Sequence, residues 1–241
     1  MNDRKVLVVM PARDEEATIG DVLGRITSEY PSLDVLVVDD GSEDSTAAIA
    51  TAKGALVVSH GENQGVAAAI QTGRIYALNH GYDFIAFCDA DGQHNAWDIG
   101  KILTPLLNGE ADFVIGSRQL GSYTGRESLL LKVARYLCFI AISVVTRKRI
   151  TDPTSGFKGW NRRVIQHLKT AYETSDKLHL STTNDMEEIL IARKEGARIS
   201  EVPVKMLNRE GESDIYTTRN LFRFFTLYPW HLIRTLWRNL W

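Results

Sequence analysis

The stretch "FIAFCDADGQH", residues 84–94, ends an apolar run in two carboxylates one residue apart. Two such charges repel each other unless a cation lies between them or one takes up a proton. Mg²⁺ or Mn²⁺ meets that need, because either ion takes oxygen ligands, binds through one or two carboxylates and keeps positions open for substrate phosphates. Asp89 and Asp91, with the Gln93 amide oxygen, are therefore a candidate metal site. The plain alternative for an isolated D-x-D is a turn or a helix cap. His94 beside it reads as a supporting or capping residue, with a ligand role as the alternative. A second acidic pair, Asp39 and Asp40 in "VVDDGSEDST", also follows an apolar run. Its acceptor oxygens suit a ribose or a base edge, as acidic residues do after a strand in dinucleotide sites; a turn with an N-cap is the alternative. No GxGxxG follows the first apolar run, which argues against a dinucleotide cofactor, and "GENQG" (61–65) reads as a loop.

The elements that must hold these residues are legible. Val6 to Met10, Val35 to Val38, Ala55 to Val58, Phe84 to Cys88 and Phe113 to Ile115 are short, continuous apolar runs, the pattern of strands buried on both faces. Helical patterns alternate with them: Ile19, Val22, Leu23 and Ile26 after an acidic start; about Ser45 to Lys53; Gly65 to Asn79; and Ala96 to Leu107, with Ile99, Ile102, Leu103 and Leu106 on one face. Alternation of this kind implies right-handed βαβ units and a mostly parallel sheet flanked by helices, an α/β fold. In such sheets ligands sit at the carboxyl ends of the strands. Pro11, Ala12 and Arg13, Asp39 and Asp40, Asp89 to Asp91, and Gly116 to Arg118 all fall at those ends, so one rim carries the chemistry.

With 241 residues, 44% hydrophobic and 24% charged, the chain is long enough for one large domain. A formal net charge of -2 gives no global attraction to nucleic acid, and none is expected as a partner. Cys88 and Cys138 lie in separate apolar runs, as buried reduced thiols would, which favours the cytoplasm. The amino-terminal apolar run is too short for a signal peptide's core. The run from Tyr136 to Val145 is shorter than the roughly 20 residues that span a bilayer, so no membrane span is expected.

Six motifs occur in order: PARDE (11–15), VVDDGSEDST (37–46), NQGVAAAIQTG (63–73), DADGQH (89–94), GSR (116–118) and DPTSGFK (152–158). The set resembles family 2 glycosyltransferases with a GT-A fold, and within them the branch that makes dolichyl or polyprenyl phosphate mannose and glucose. The match covers roughly Val6 to Ser213. It implies a Rossmann-like sheet, a nucleotide-sugar donor of the GDP-mannose or UDP-glucose type, a Mg²⁺ or Mn²⁺ ion, and inverting transfer to a polyprenyl phosphate. By position, Pro11, Ala12, Arg13, Glu15, Asp39, Asp40, Ala90 and Asp91 are implied nucleotide-sugar contacts. Asp89, Asp91 and Gln93 are the implied metal and diphosphate site. Arg118 stands where donor and acceptor phosphates meet, so that Asp89, Asp91 and Arg118 are the implied catalytic residues. The acceptor phosphate, ionised at pH 7, needs cationic positioning rather than a base. Arg118, Arg126 and Arg209, with Ser213, are the candidates, since guanidinium matches phosphate bidentately. The resemblance departs at "NREGESD", which puts Asp214 where the family carries a lysine. "NDMEEIL" (184–190) resembles a segment whose acids serve as base toward hydroxyl acceptors, which keeps Asp185 and Glu187 in view for that reading; otherwise they favour a helix N-terminus.

Between Glu127 and Asp152 there is no acidic residue, but Lys132, Arg135, Arg147, Lys148 and Arg149 surround an apolar segment. The tail from Thr217 to Trp241 repeats this with four arginines and seven aromatic residues. Such stretches fit amphipathic helices lying in the headgroup plane of an anionic leaflet, and equally a core or an oligomer interface. The domain expectation is a catalytic domain over 1–213, including the basic amphipathic segment 127–151, and a membrane-surface tail over 214–241. The protein is expected to be peripheral at the cytoplasmic face of a membrane, with an oligomer or a membrane-protein partner left open. Two other readings stand beside the lipid-phosphate transferase: an inverting transferase to a carbohydrate hydroxyl, and a non-catalytic module that binds a nucleotide-sugar.

Overall fold

Period-two burial of β-branched runs builds the sheet. Leu7 and Val9 enter one core cluster while Val8 and Met10 enter the other, and Leu36 and Val38 are separated from Val35 and Val37 in the same way. Each fully buried Val, Leu or Ile contributes about 1.5–3 kcal/mol of transfer free energy, so both faces demand a helical cover. The computed structural model describes residues 4–124, 129–174 and 184–207. Arg126, Arg209, Ser213, Asp214 and the tail lie outside the described residues.

Seven strands form one sheet in the order β3-β2-β1-β4-β6-β5-β7. They are β1 (Val6–Ala12), β2 (Asp34–Asp39), β3 (Leu56–Ser59), β4 (Phe84–Phe87), β5 (Phe113–Tyr123), β6 (Lys158–Asn161) and β7 (Ile199–Met206). All pairings are parallel except those of β6, which runs antiparallel to both β4 and β5. The mostly parallel sheet expected from the sequence is therefore observed, with two strands the apolar runs did not show: β6 and β7.

The helices are α1 (Ile19–Glu29), α2 (Thr46–Ala52), α3 (Val66–Asn79), α4 (Ile99–Leu107), α5 (Leu129–Thr146), α6 (Arg162–Thr174) and α7 (Asn184–Lys194). In α1 the residues Ile19, Val22, Leu23 and Ile26 are buried, and in α4 the residues Ile99, Ile102, Leu103 and Leu106, as the spacing predicts. A single 3₁₀ turn, Ala96–Asp98, precedes α4, where the sequence suggests one continuous helix. Cys88 and Cys138 are free and buried.

Helix α5 is 18 residues long and, by length and composition alone, apolar enough to cross a membrane, with a mean hydropathy of 1.9. The shorter run read from the sequence did not suggest this. Ala134, Cys138, Ile142 and Thr146, one stripe at a spacing of four, are buried. Leu129, Tyr136, Leu137 and Val144 on the remaining surface are exposed.

Small residues let α3 approach the sheet. A Cβ on Gly73 would lie 2.4 Å from Cγ1 of Val9, whereas one on Gly24 of α1 would meet nothing within 4 Å. Gly73→Ala should therefore cost about 1–3 kcal/mol through overpacking, while Gly24→Ala should stabilise by about 0.4–1 kcal/mol. Urea unfolding of the two variants beside the parent checks both signs.

Candidate functional site

Strands β1 and β2 end side by side, with Ala12 in register with Asp39. The two loops that follow are stitched by side chain to backbone bonds. Asp14 N–H donates to Ser42 Oγ at 3.0 Å, Glu43 N–H to Asp14 Oδ1 at 2.8 Å, Glu15 N–H to Thr46 Oγ1 at 2.8 Å and Glu16 N–H to Asp44 Oδ2 at 3.0 Å. The Thr18 hydroxyl donates to the Ala90 carbonyl at 2.8 Å, which joins this pair of loops to the D-A-D segment. Pro11, Ala12, Arg13, Glu15, Asp39 and Ala90 thus share one rim.

Asp40 has a second occupation. Its Oδ1 accepts from Gln64 N–H at 2.9 Å and lies 2.7 Å from His60 Nδ1, and its Oδ2 accepts from Gly65 N–H at 2.7 Å. His60 Nε2 reaches Thr72 Oγ1 at 2.9 Å. This carboxylate organises the loop that enters α3, a role the sequence did not reveal. Asp39 makes a lighter tie, accepting from Ser42 N–H at 3.1 Å.

Asp89 and Asp91 leave the carboxyl end of β4. Gly92, at φ 74°, allows the tight turn in which Gln93 N–H donates to Asp91 Oδ1 at 2.9 Å. The Gln93 carbonyl accepts from Leu207 N–H at 2.9 Å, so the end of β7 clasps this turn. His94 is 2% exposed and stacks on Phe157 with ring centroids 4.7 Å apart. Its Nδ1 accepts from Asp89 N–H at 2.9 Å, which puts the ring proton on Nε2, 3.4 Å from Asp89 Oδ2. His94 therefore supports Asp89, as the sequence suggests. Burial lowers its pKa to about 4, against the upward pull of Asp91 and with a downward push from Arg118.

The oxygen set fits a hard divalent ion. Asp89 has 41% of its side chain open, and Asp91 lies at the same turn. No group of three or more His, Cys, Asp or Glu converges among the described residues. The protein there offers two carboxylates, the number that leaves the remaining positions for diphosphate oxygens and water.

The opposite wall comes from residues 152–158. Arg118, at the outer part of β5, donates from Nε and Nη2 to the two oxygens of Asp152 at 2.6 Å each, and from Nη2 to Thr154 Oγ1 at 3.0 Å. Arg118 N–H also donates to Asp152 Oδ2, at 2.9 Å. Glu201 of β7 accepts from Thr151 N–H, Thr151 Oγ1 and Asp152 N–H at 2.8–3.0 Å, and Ser155 Oγ donates to the Gly116 carbonyl at 2.6 Å. A Cβ on Gly156 would lie 3.7 Å from both Asp89 Oδ2 and His94 Cε1. The expected phosphate contact Arg118 is thus fixed by a bidentate pair whose acidic partner, Asp152, sequence reasoning did not single out. Asp185 of α7 pairs with Lys158 and keeps 28% of its side chain open, while Glu187 is buried.

This rim lies on a family-specific scaffold. Residues 7–169 match the family described as Glycosyl transferase family 2. The chain belongs to that family. It is 27% identical over 229 residues to the UDP-N-acetylglucosamine--dolichyl-phosphate N-acetylglucosaminyltransferase of Methanococcus voltae, covering 87% of this chain and 88% of that one. It is 29% identical over 219 residues to the undecaprenyl-phosphate mannosyltransferase of Micrococcus luteus, covering 87% and 86%. The fold is shared with glucosyl-3-phosphoglycerate synthase of Mycobacterium tuberculosis, solved with Mn²⁺, UDP and glucosyl-3-phosphoglycerate, at a TM-score of 0.73 and 21% identity over 98% of this chain and 80% of that one. The mostly parallel GT-A sheet flanked by helices that the resemblance implies is the one observed, with seven strands.

Neutral burial of His94 has a measurable consequence. In the unfolded chain a histidine titrates near 6.5, so below that pH the unfolded state binds a proton that the native imidazole refuses until about pH 4. The stabilisation is complete above pH ~6.5 and is lost as pH falls from there toward 4, with a slope of about 1 kcal/mol per pH unit at most. His94→Asn keeps an acceptor for the Asp89 N–H and removes the titration. Urea unfolding of the metal-free protein between pH 7 and 4 should show a shallower loss in that variant.

Proposed function

We propose that this family 2 transferase moves a hexose from a nucleotide-sugar to a polyprenyl or dolichyl phosphate at a membrane surface, with inversion at the anomeric carbon. The observation that carries the acceptor is the helix pair α5 and α7. Helix α5 exposes a wide apolar surface beside Lys132 and Arg135, and it packs on α7, whose first turn carries Asp185. Arg193 Nε of α7 donates to the Thr146 carbonyl at the end of α5, at 3.2 Å. An apolar surface rimmed by cations suits a bilayer interface, and here it belongs to the helix that packs on α7. The names of the two relatives, one an N-acetylglucosaminyltransferase and one a mannosyltransferase, agree on a lipid phosphate and differ in the sugar.

The nucleotide lies in this reading along Pro11, Ala12, Arg13, Glu15 and Asp39, with Asp40 shaping the loop beside it. Asp89, Asp91 and Gln93 hold Mg²⁺ or Mn²⁺, which supplies Lewis-acid neutralisation of the departing diphosphate. His94 orients Asp89 for that ligation. Arg118, immobilised by Asp152, presents a fixed cationic edge to the phosphates, and Arg126, Arg209 and Ser213 complete the acceptor site. The ionised acceptor phosphate attacks as it stands, without a base. The catalytic domain runs over 1–213 with a membrane-surface tail over 214–241, and the protein sits peripherally at the cytoplasmic face.

The openness of Asp185 favours a second reading, an inverting transferase in which that carboxylate receives the proton of a hydroxyl acceptor. One assay separates the two. Incubation with Mn²⁺ or Mg²⁺, a panel of GDP- and UDP-sugars and either undecaprenyl phosphate or hydroxyl acceptors, read by mass spectrometry, should give a phosphate-linked glycolipid. Asp91→Ala should lower its formation by on the order of 100-fold or more. Product on hydroxyl acceptors alone would overturn the lipid reading.

A further inference from the structure

Four charged side chains gather behind the wall of the site. Arg74 of α3 pairs with Glu188 of α7, Glu188 with Lys158 of β6, and Lys158 with Asp185 of α7. Arg74, Glu188 and Lys158 have 1% or less of their side chains exposed, against 28% for Asp185. Aromatic rings close the inner end: the Arg74 guanidinium lies 4.7 Å from the Trp160 centroid and 5.1 Å from that of Tyr172, and Lys158 Nζ lies 5.4 Å from Trp160.

Taking such charges out of water is costly, and apolar side chains of similar volume commonly hold elements together as well or better. Packing alone therefore does not account for the cluster. Its one open end does, because that end faces the site. Lys158 is in register with Phe87 of β4, two residues before Asp89, and with Ile115 of β5, three residues before Arg118. Both Lys158 and Asp185 act electrostatically on His94, and Arg118 acts on Asp185. Burial works against the Lys158 ammonium, but Asp185 and Glu188 outweigh it and hold its pKa above the ordinary lysine value, so it stays charged.

We propose that Lys158 is a positioning residue for the acceptor: its ammonium neutralises and orients Asp185, while Arg74 keeps Glu188 in place, so that the first turn of α7 meets the acceptor with a fixed, compensated carboxylate. The proposal rests on the rim being the sugar-transfer site. Without Lys158 an uncompensated carboxylate faces the incoming acceptor and loses its orientation, whereas the nucleotide end of the site, built on β1, β2 and β4, is untouched.

The test is steady-state kinetics of Lys158→Met, Asp185→Asn and the double variant, with nucleoside diphosphate–Mn²⁺ affinity measured by calorimetry. Lys158→Met should lower kcat/KM for the acceptor about 10–100-fold with nucleotide affinity unchanged. Asp185→Asn in the same chain should recover several-fold of that loss, because it removes the stranded charge. Kinetics of Lys158→Met equal to the parent overturn the proposal, as does a loss shared by nucleotide affinity and unrelieved by Asp185→Asn. Should Lys158→Met fail to fold, Lys158→Gln, which keeps a polar head beside Asp185 without the charge, is judged by the same outcomes. Each variant is assayed with undecaprenyl phosphate and, in parallel, for release of free sugar to water. A parent that hydrolyses donor but ignores the lipid overturns the lipid-acceptor reading and leaves Lys158 to be judged on hydrolysis. A parent that does neither overturns both.

Discussion

The reversed direction of β6 is the constraint on which the site depends. In a parallel sheet every strand delivers its carboxyl end to the functional rim, and an antiparallel strand inserted among them delivers its amino end instead. Because β6 lies between β4 and β5, the loop that enters it, residues 152–157, arrives between the D-A-D turn and Arg118. One short segment can then supply Asp152 to Arg118, the Phe157 ring to His94, and Lys158 to Asp185. The insertion also demands a small residue, since a Cβ on Gly159 would lie 2.7 Å from Ile102 Cγ2 and 2.9 Å from the Ile85 carbonyl. A larger side chain at that position would push β6 off β4 and move all three contacts together.

Five of the seven strands were legible as continuous apolar runs: β1, β2, β4 and the inner part of β5 because both faces are buried, and β3 although, at the sheet edge, it is half-buried to exposed rather than covered on both faces as expected. The other two hide for separate reasons. Strand β6 is only four residues long and buries a lysine, so it carries no apolar signature. Strand β7, "ISEVPVKM", alternates burial irregularly and includes Pro203, as a strand at the edge of the sheet formed by the described residues allows. The long outer half of β5 escaped as well, since Arg118 to Ser122 are polar or exposed and their partner, β7, had not been recognised.

The D-A-D turn and the acidic pair after β2 were visible as clusters of charge at strand ends. What those carboxylates bond to was not, because the partners are distant in sequence and ordinary in type. Asp40 and Asp39 are neighbours of one residue type, yet Asp40 is drawn into the loop before α3 while Asp39 makes a single backbone tie. Arg118 meets Asp152 across 34 positions, and Arg74 meets Glu188 across 114. Neither pair has a local spacing that would announce it. Burial of a charge leaves no mark in the sequence until its partner is known, which is why the interior cluster around Lys158 went unread while the exposed chemistry did not.

The balance of charge at the rim explains why so many carboxylates coexist there. Among the described residues Asp89, Asp91, Asp152, Asp185 and Glu188 face Arg118, Lys158 and Arg74, and each of these cations already has a carboxylate partner. Asp152 and Glu188 are thereby compensated within the protein, and Asp185 shares Lys158. Beside the D-A-D turn burial keeps the His94 imidazole neutral, with a pKa near 4. A neutral His94 adds no positive charge at Asp89 and Asp91, and in the proposed transferase reading a divalent ion would supply it there.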